Sequence, residues 1–217
     1  MNKELSQKFE KLQSSPFEGL AAFFENEGIR FNGKDLTTWG QFFSTRFGPL
    51  GGAVHVPEWL AGVFCALAKE ASPKTICDPW AGIGFLVGAL CEACQPEQAL
   101  AFTQDPALHE LGNVLVPEVG WQLGEPLRLL KSLPQSFDVF ASILPMSAGE
   151  HHPLKLTLKS GETVELIDLH FGHLVMVAAS MHLNSSGLGL FVVTPSFFNK
   201  NPESVFPTPH AHHKPMI

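Results

Sequence analysis

Apolar residues recur along this chain with one period up to about residue 48 and with another beyond it. Leu5, Phe9 and Leu12 fall at helical spacing, as do Leu20, Phe23 and Phe24 behind Ser15-Pro16. Trp39-Gly40-Gln41-Phe42-Phe43 follows Thr37 and Thr38 as a third helical candidate. Apolar positions three and four apart line one helix face, and a hydroxyl residue just ahead caps the start. Residues 1–48 therefore read as an N-terminal helical segment, its aromatic face packed on the next domain or on a sister subunit. From Gly51 onward, short apolar runs bounded by acids, prolines and glycines alternate with helical patterns. That alternation predicts an α/β, doubly wound parallel sheet over 49–198.

The strand candidates are the run ending in Asp78, then Ala99–Phe102, Phe137 onward, and Leu188–Val193. A helix is expected from about Leu169 to Leu183, stopped by Asn184-Ser185-Ser186-Gly187. One piece breaks the alternation. Leu154–Lys159 and Thr163–Leu166 alternate apolar and polar around Ser160-Gly161-Glu162, which predicts a β-hairpin placed to cover a site or meet a partner. Residues 199–217, rich in proline, histidine and asparagine, read as an irregular tail.

Candidate chemistry concentrates where the first strand ends, in Asp78-Pro79-Trp80-Ala81-Gly82-Ile83-Gly84. Asp78 stands where the strand stops, able to accept hydrogen bonds from a ligand. Gly82 and Gly84 lack a Cβ, so a ligand can lie against the backbone there. The crevice beyond the strand ends of such sheets is where ligands bind, which points to a nucleoside-type cofactor. A dinucleotide fingerprint needs a third glycine, and Val87 holds that position. Asp105 ends the next strand region, where an acid can accept from ribose hydroxyls or cap the helix that follows.

The spacing Asp-Pro-x-x-Gly-x-Gly resembles motif I of the S-adenosylmethionine-dependent methyltransferases, in the branch that methylates amino groups in DNA. Gly51-Gly52-Ala53-Val54-His55-Val56-Pro57 resembles the Gly-x-x-x-Thr-Pro segment preceding motif I in N6-adenine methyltransferases of the type I restriction-modification class. In that family this loop closes over the methionine end of the cofactor, which implies Val54 and His55 as contacts, with Val56 replacing the usual threonine. The resemblance implies a cofactor set of Val54, His55, Asp78, Pro79, Ala81, Gly82, Gly84, Asp105 and Glu125. Glu125 enters because Gly120–Leu127 resembles the Gly-Asp-x-Leu segment near the adenine ring; a surface turn explains that match nearly as well.

The segment Phe137–Met146 resembles the strand that runs into Asn-Pro-Pro-Phe or Asn-Pro-Pro-Tyr, which places the catalytic motif at Leu144, Pro145 and Met146. In the family an asparagine amide and a backbone carbonyl accept from the base amine, and the aromatic ring stacks on the flipped base. Here Ile143 or Leu144 stands where that amide belongs, and a hydrocarbon accepts no hydrogen bond. The Leu144 carbonyl and Met146 are left to face the target.

The resemblance covers Gly51 to Phe198. It implies a Rossmann-like class I methyltransferase sheet with S-adenosylmethionine as cofactor. The two further strands that usually complete that sheet are not legible, so the chain reads as a shortened domain or the N-terminal portion of a longer protein. Two other readings stand beside N6-adenine methylation. One is a non-catalytic module of the same fold, acting in binding or assembly. The other is a nucleotide-dependent oxidoreductase, disfavoured by Val87 and Asp78-Pro79.

Composition narrows the partners. A chain of 217 residues, 45% hydrophobic and 16% charged, builds a folded core. A net charge of −7 argues against gripping nucleic acid alone, so DNA would be reached through a separate specificity subunit or domain. A homo-oligomer or hetero-partner contact is expected through the N-terminal helices. Met1–Glu10 is charged and holds no apolar leader core, and no apolar run approaches the ~20 residues of a membrane span, so the expected location is cytoplasmic.

Cys65 and Cys77 read as core thiols, and Cys91 and Cys94 lack a second pair to complete a zinc site. No metal is expected. His151 and His152 read as exposed loop residues with proton transfer as the alternative, and His210, His212 and His213 as a solvated tail.

Overall fold

The computed structural model describes residues 19–31, 33, 36–47, 56–145, 154–157, 161, 163–166 and 171–193. Helices α1 (Leu20–Asn26) and α2 (Leu36–Phe47) lead into α3 (Glu58–Ala71). Strands and helices then alternate: β1 (Thr75–Asp78), α4 (Phe85–Cys94), β2 (Gln98–Thr103), α5 (Pro106–Leu115), β3 (Gly120–Leu123), α6 (Pro126–Ser132) and β4 (Phe137–Ile143). The hairpin β5 (Leu154–Thr157) and β6 (Thr163–Leu166) interrupts before α7 (Phe171–Ser180) and β7 (Leu183–Val192). Five strands form one sheet in the order β3-β2-β1-β4-β7, every pairing parallel. The expected α/β doubly wound sheet is the fold present.

Strand side chains alternate between two cores, as the period of two requires. Ile76, Ala99, Ala101, Val139 and Ala141 face one cluster, while Cys77, Leu100, Phe102 and Phe140 face the other. On the first face the strands offer mostly small residues, so α4 lies close and is buried from Phe85 through Cys91. The second face, with larger strand residues, is covered by α6 and α7.

The N-terminal aromatic residues complete the first core. Phe31 stacks on Phe85 at 4.7 Å between ring centroids, and Trp39 and Phe43 approach the same ring at 5.6 and 5.7 Å. Gly88 makes room for them: a Cβ there would lie 2.8 Å from the Phe31 ring. Phe31, Trp39 and Phe43 therefore pack on the sheet domain within the same chain.

At the amino ends of the strands, Asp138 ties three of them together. Its Oδ2 accepts from Lys74 N (2.8 Å), Thr75 N (3.0 Å) and Thr75 Oγ1 (3.1 Å), and its Oδ1 from Asn184 Nδ2 (2.6 Å). This arrangement corrects two boundaries. Helix α7 stops at Ser180, not Leu183, and β7 begins at Leu183 instead of Leu188. Asn184–Gly187 is not the helix stop. It is an irregularity in the β4–β7 ladder, where Phe137 pairs Leu183 and Val139 pairs Leu188. The extra residues carry the Asn184 amide to Asp138.

Residues Gly120–Leu123 form a strand paired with β2, and not the surface turn that the sequence also allows. The hairpin is present as a separate two-stranded sheet, its ladder running from Leu154↔Leu166 to Thr157↔Thr163, while Leu158 and Lys159 lie outside the described residues. The expectations for Leu5–Leu12, Ser15-Pro16, Val54, His55, Met146, His151, His152 and the tail lie outside the described residues. No described helix is long and apolar enough to cross a membrane.

Candidate cofactor site

The sheet order places a switch of direction between β1 and β4. β1 leads to α4 on one face and β4 leads toward α7 on the other, so a crevice opens beyond their carboxyl ends. Asp78 closes β1 inside that crevice at 1% exposure. Its Oδ1 accepts from Trp80 N at 3.0 Å and from Ser142 Oγ, on β4, at 2.7 Å. Pro79 has no N–H, so Trp80 carries the first donor after the strand. Both bonds use the same oxygen, and Oδ2 has no hydrogen-bond partner among the described residues. Burial pushes the carboxyl up to about 7, against the lowering effect of the Ser142 and Trp80 hydrogen bonds. A buried carboxylate oxygen without a donor costs stability, roughly 1–3 kcal/mol for an unmade bond, and a ligand N–H or O–H would relieve it.

The turn above Asp78 sets two glycines in left-handed conformations, and packing demands one of them. Ala81 N donates to Phe102 O at 3.0 Å and Gly84 N to Ala81 O at 2.8 Å, which fixes the turn over β2. Gly82 has φ 57° and Gly84 φ 89°, both left-handed. Beside Gly84, however, the space a Cβ would take lies 2.6 Å from the Trp121 indole. It is that ring, not open crevice, that requires glycine there. Gly84 also caps α4, and no side chain caps this helix end. The first-turn N–H groups of Phe85 to Val87 precede the first intrahelical bond and lie beside the turn, where an anionic group would satisfy them.

Asp105 and Glu125 have local duties. Asp105 Oδ1 accepts from Ala107 N (2.8 Å) and Leu108 N (3.2 Å) at the start of α5. Both Glu125 oxygens are engaged at α6, from Leu127 N (2.9 Å) and Arg128 N (2.8 Å). The residue that ends β2 is Thr103, buried, its Oγ1 accepting from Asp105 N at 3.4 Å. Asp105 leaves Oδ2 without a bond among the described residues, whereas each Glu125 oxygen already accepts one. Gly124 N donates to Thr103 O at 2.9 Å and holds the end of β3 beside the end of β2.

On the β4 side the chain runs Ser142-Ile143-Leu144-Pro145. The Leu144 side chain is 3% exposed and belongs to the second core, pointing away from an acceptor role. Helix α7 starts directly against this loop: a Cβ on Gly172 would lie 2.8 Å from Pro145 O and 3.1 Å from Leu144 Cβ. Trp80 meets Phe171 edge to face at 5.5 Å. The crevice is therefore lined by a buried acid, a hydroxyl and two half-buried rings.

Of the residues expected from sequence, Asp78, Pro79, Ala81 and Gly82 gather at the turn over β1, with Leu144 and Pro145 across the crevice. Ser142, Trp80 and Phe171 went unassigned, because a serine inside an apolar strand and aromatic rings in apolar runs carry no motif. A groove of about 660 Å³ lies elsewhere, at the strands' amino ends, lined by exposed Lys69, Lys74, Glu92 and Glu97 among others. It contains none of these groups. Among the described residues no cluster of three metal-ligating side chains occurs.

The fold recurs in solved methyltransferases. The SAH-bound methyltransferase PaMTH1 of Podospora anserina matches with a TM-score of 0.53 at 14% identity, over 88% of this chain and 70% of that one. A methyltransferase from Geobacter sulfurreducens matches with a TM-score of 0.51 at 15% identity, over 80% of this chain and 76% of that one. At such identities the likeness is one of fold, the Rossmann-like class I methyltransferase sheet. No protein-family model and no curated protein matches the chain.

Proposed function

We propose that this chain binds S-adenosylmethionine in the crevice between β1 and β4 and belongs functionally with methyltransferases that act on an amine of nucleic acid. The observation that carries the cofactor is the buried Asp78 carboxylate, one oxygen satisfied and the other without a donor, set beside an uncapped helix end. S-adenosylmethionine brings both missing partners: an ammonium and hydroxyls to donate, and a carboxylate to accept. Asp78 and the turn through Gly82 would hold the amino-acid end, with Asp105 Oδ2 within the reach of a ribose. When bound, the cofactor supplies an electrophilic methyl group. The fold shared with PaMTH1, which is SAH-bound, supports the same reading.

The acceptor side supports a narrower chemistry. An amine awaiting methylation needs acceptors that keep its lone pair free, and Ile143-Leu144-Pro145 offers only backbone carbonyls. Transfer to adenine N6 would proceed slowly, if the Pro145 and Leu144 carbonyls alone orient the amine. The net charge of −7 leaves the grip on phosphate to a separate specificity subunit. The alternative is a module that binds the cofactor without transferring its methyl group, and the burial of Leu144 favours it.

Calorimetric titration with S-adenosylmethionine tests the site. Binding is expected to strengthen as pH rises through about 7, where Asp78 ionises and can meet an ammonium. Asp78→Asn should weaken it at least about tenfold at pH 8. A folded chain that binds no cofactor across that range sinks the proposal. Methyl transfer to single-stranded DNA by Ile143→Asn, absent from the unaltered chain, separates the catalytic reading from the module. Ile143 is the better position because Leu144 is fully in the core.

A further inference from the structure

Helix α3 has two apolar faces, and only one is covered. Ala61, Phe64 and Ala68 are buried against the domain. On the opposite side Trp59, Val63 and Leu67 are 71%, 47% and 45% exposed, with Gly62 and Ala66 exposed between them. These positions follow the spacing i, i+3, i+4, i+7, i+8, the stripe by which a helix faces a core. Among the described residues nothing lies within 4 Å of a Cβ built on Gly62, so the middle of the stripe is open. A helix that is apolar all round is a buried helix, and here the domain buries half of it.

We propose that the occupant of this face is a second copy of the chain, packed antiparallel through α3 about a two-fold axis at Val63. Three features of the stripe fit its own image. Large residues stand at its ends and small ones in the middle, so Trp59 meets the partner's Leu67 while Gly62 and Ala66 let the helix axes approach. Glu58 and Lys69 lie on one flank about three turns apart, so antiparallel packing sets Glu58 within a residue of the partner's Lys69, twice. The remaining exposed acid beside the stripe, Glu70, falls beyond the partner's Trp59 and meets no like charge across the axis.

The stripe presents roughly 400 Å² per copy, about 800 Å² in all, which is below the size of permanent interfaces and sets the expected affinity in the micromolar range. Helices α1 and α2, expected to carry such a contact, hold Phe24, Trp39 and Phe43 in the core, and among the described residues the exposed apolar stripe is on α3.

Sedimentation velocity of the full chain across micromolar concentrations tests this. A monomer–dimer equilibrium is expected. Trp59→Glu, at a site outside the core, should raise the dissociation constant by about 30-fold or more, the loss of one interface anchor. Glu58→Lys and Lys69→Glu should each weaken the dimer, and the double exchange should restore it. Circular dichroism of each variant checks that the fold is kept, since Glu58 also accepts from Thr37 Oγ1 at 2.6 Å. Val63→Cys should give a disulfide-linked dimer under mild oxidation. A chain that stays monomeric throughout, a dimer indifferent to Trp59→Glu, or a double exchange that restores nothing would each overturn the antiparallel α3 dimer.

Discussion

Ser142 Oγ donates a 2.7 Å hydrogen bond to Asp78 Oδ1 across two adjacent parallel strands, both residues fully buried. The bond connects the end of β1, where the cofactor is proposed to lie, to the end of β4, where an acceptor would. Among the described residues, Ser142 Oγ and Trp80 N are the two donors that favour the ionised form of Asp78.

The first prediction concerns pH and stability. Asp78 titrates near 7 in the folded chain and near its ordinary 3.8 when unfolded. Between those values the folded state holds a proton that the unfolded state has lost, so stability falls as pH rises from about 4 to about 7. Asp78→Asn removes that slope. Measured by chemical denaturation, the variant should gain on the unaltered protein over that window, by on the order of a few kcal/mol at pH 8. It should also lose cofactor binding. A constant difference between the two curves at all pH values would contradict the assignment.

Ser142→Ala deletes a donor to the charged carboxylate. The midpoint of the Asp78 transition should move above 7, and the fold should lose about 1–2 kcal/mol. Carbon-detected NMR of the Asp carboxyl follows the midpoint directly. An unmoved midpoint would mean that the hydroxyl does not control this acid.

Gly112→Ala is normally favourable in a helix interior, by up to about 1 kcal/mol. Here it should destabilise. A Cβ at Gly112 would collide with the Trp121 ring, which is already wedged against Gly84 and anchored by Nε1 to Val116 O at 3.2 Å. A loss of about 1–3 kcal/mol is expected, with a changed tryptophan emission. The variant Gly112→Ala/Trp121→Leu should recover part of that loss, because the collision is removed.

Asp138 governs the acid side. Slight burial raises its carboxyl, and the donors Asn184, Thr75 and Lys74 outweigh that and hold it below its ordinary value. Its contribution is present above that ordinary value, 3.8, and disappears as pH falls through the depressed folded one. Asp138→Ala should cost about 2–3 kcal/mol at pH 7 and flatten the acid limb of the stability curve. Acid titrations of the two proteins that run parallel would contradict this.

Much of this fold was legible because local pattern and tertiary outcome agree. The apolar run ending at Asp78, the two glycines and the helical pattern after them form β1, the turn and α4, since buried parallel strands need continuous apolar sequence and the turn needs positive φ. The hairpin was legible for the same reason, its alternation matching a two-stranded ladder. β7 was read short because Asn184-Ser185-Ser186-Gly187 looks like a helix stop. Only the meeting of Asn184 with Asp138, distant in sequence, makes those residues part of a strand.

Periodicity and glycine chemistry act within a few residues, so the kind of sheet and the place of the crevice can be read from the chain. How each candidate group is employed depends on which partner reaches it first. Asp105 and Glu125 are identical in type to ligand acids, but each lies just before a proline-led helix and is drawn to its free N–H groups. Gly84 is spaced for a cofactor, and β3 brings Trp121 to it. Leu144 lies at the acceptor position, and α6 and α7 enclose it in the second core. For Gly84 and Leu144 the deciding partner comes from a strand or helix brought close only by folding, whereas for Asp105 and Glu125 it is the first turn of the helix that directly follows.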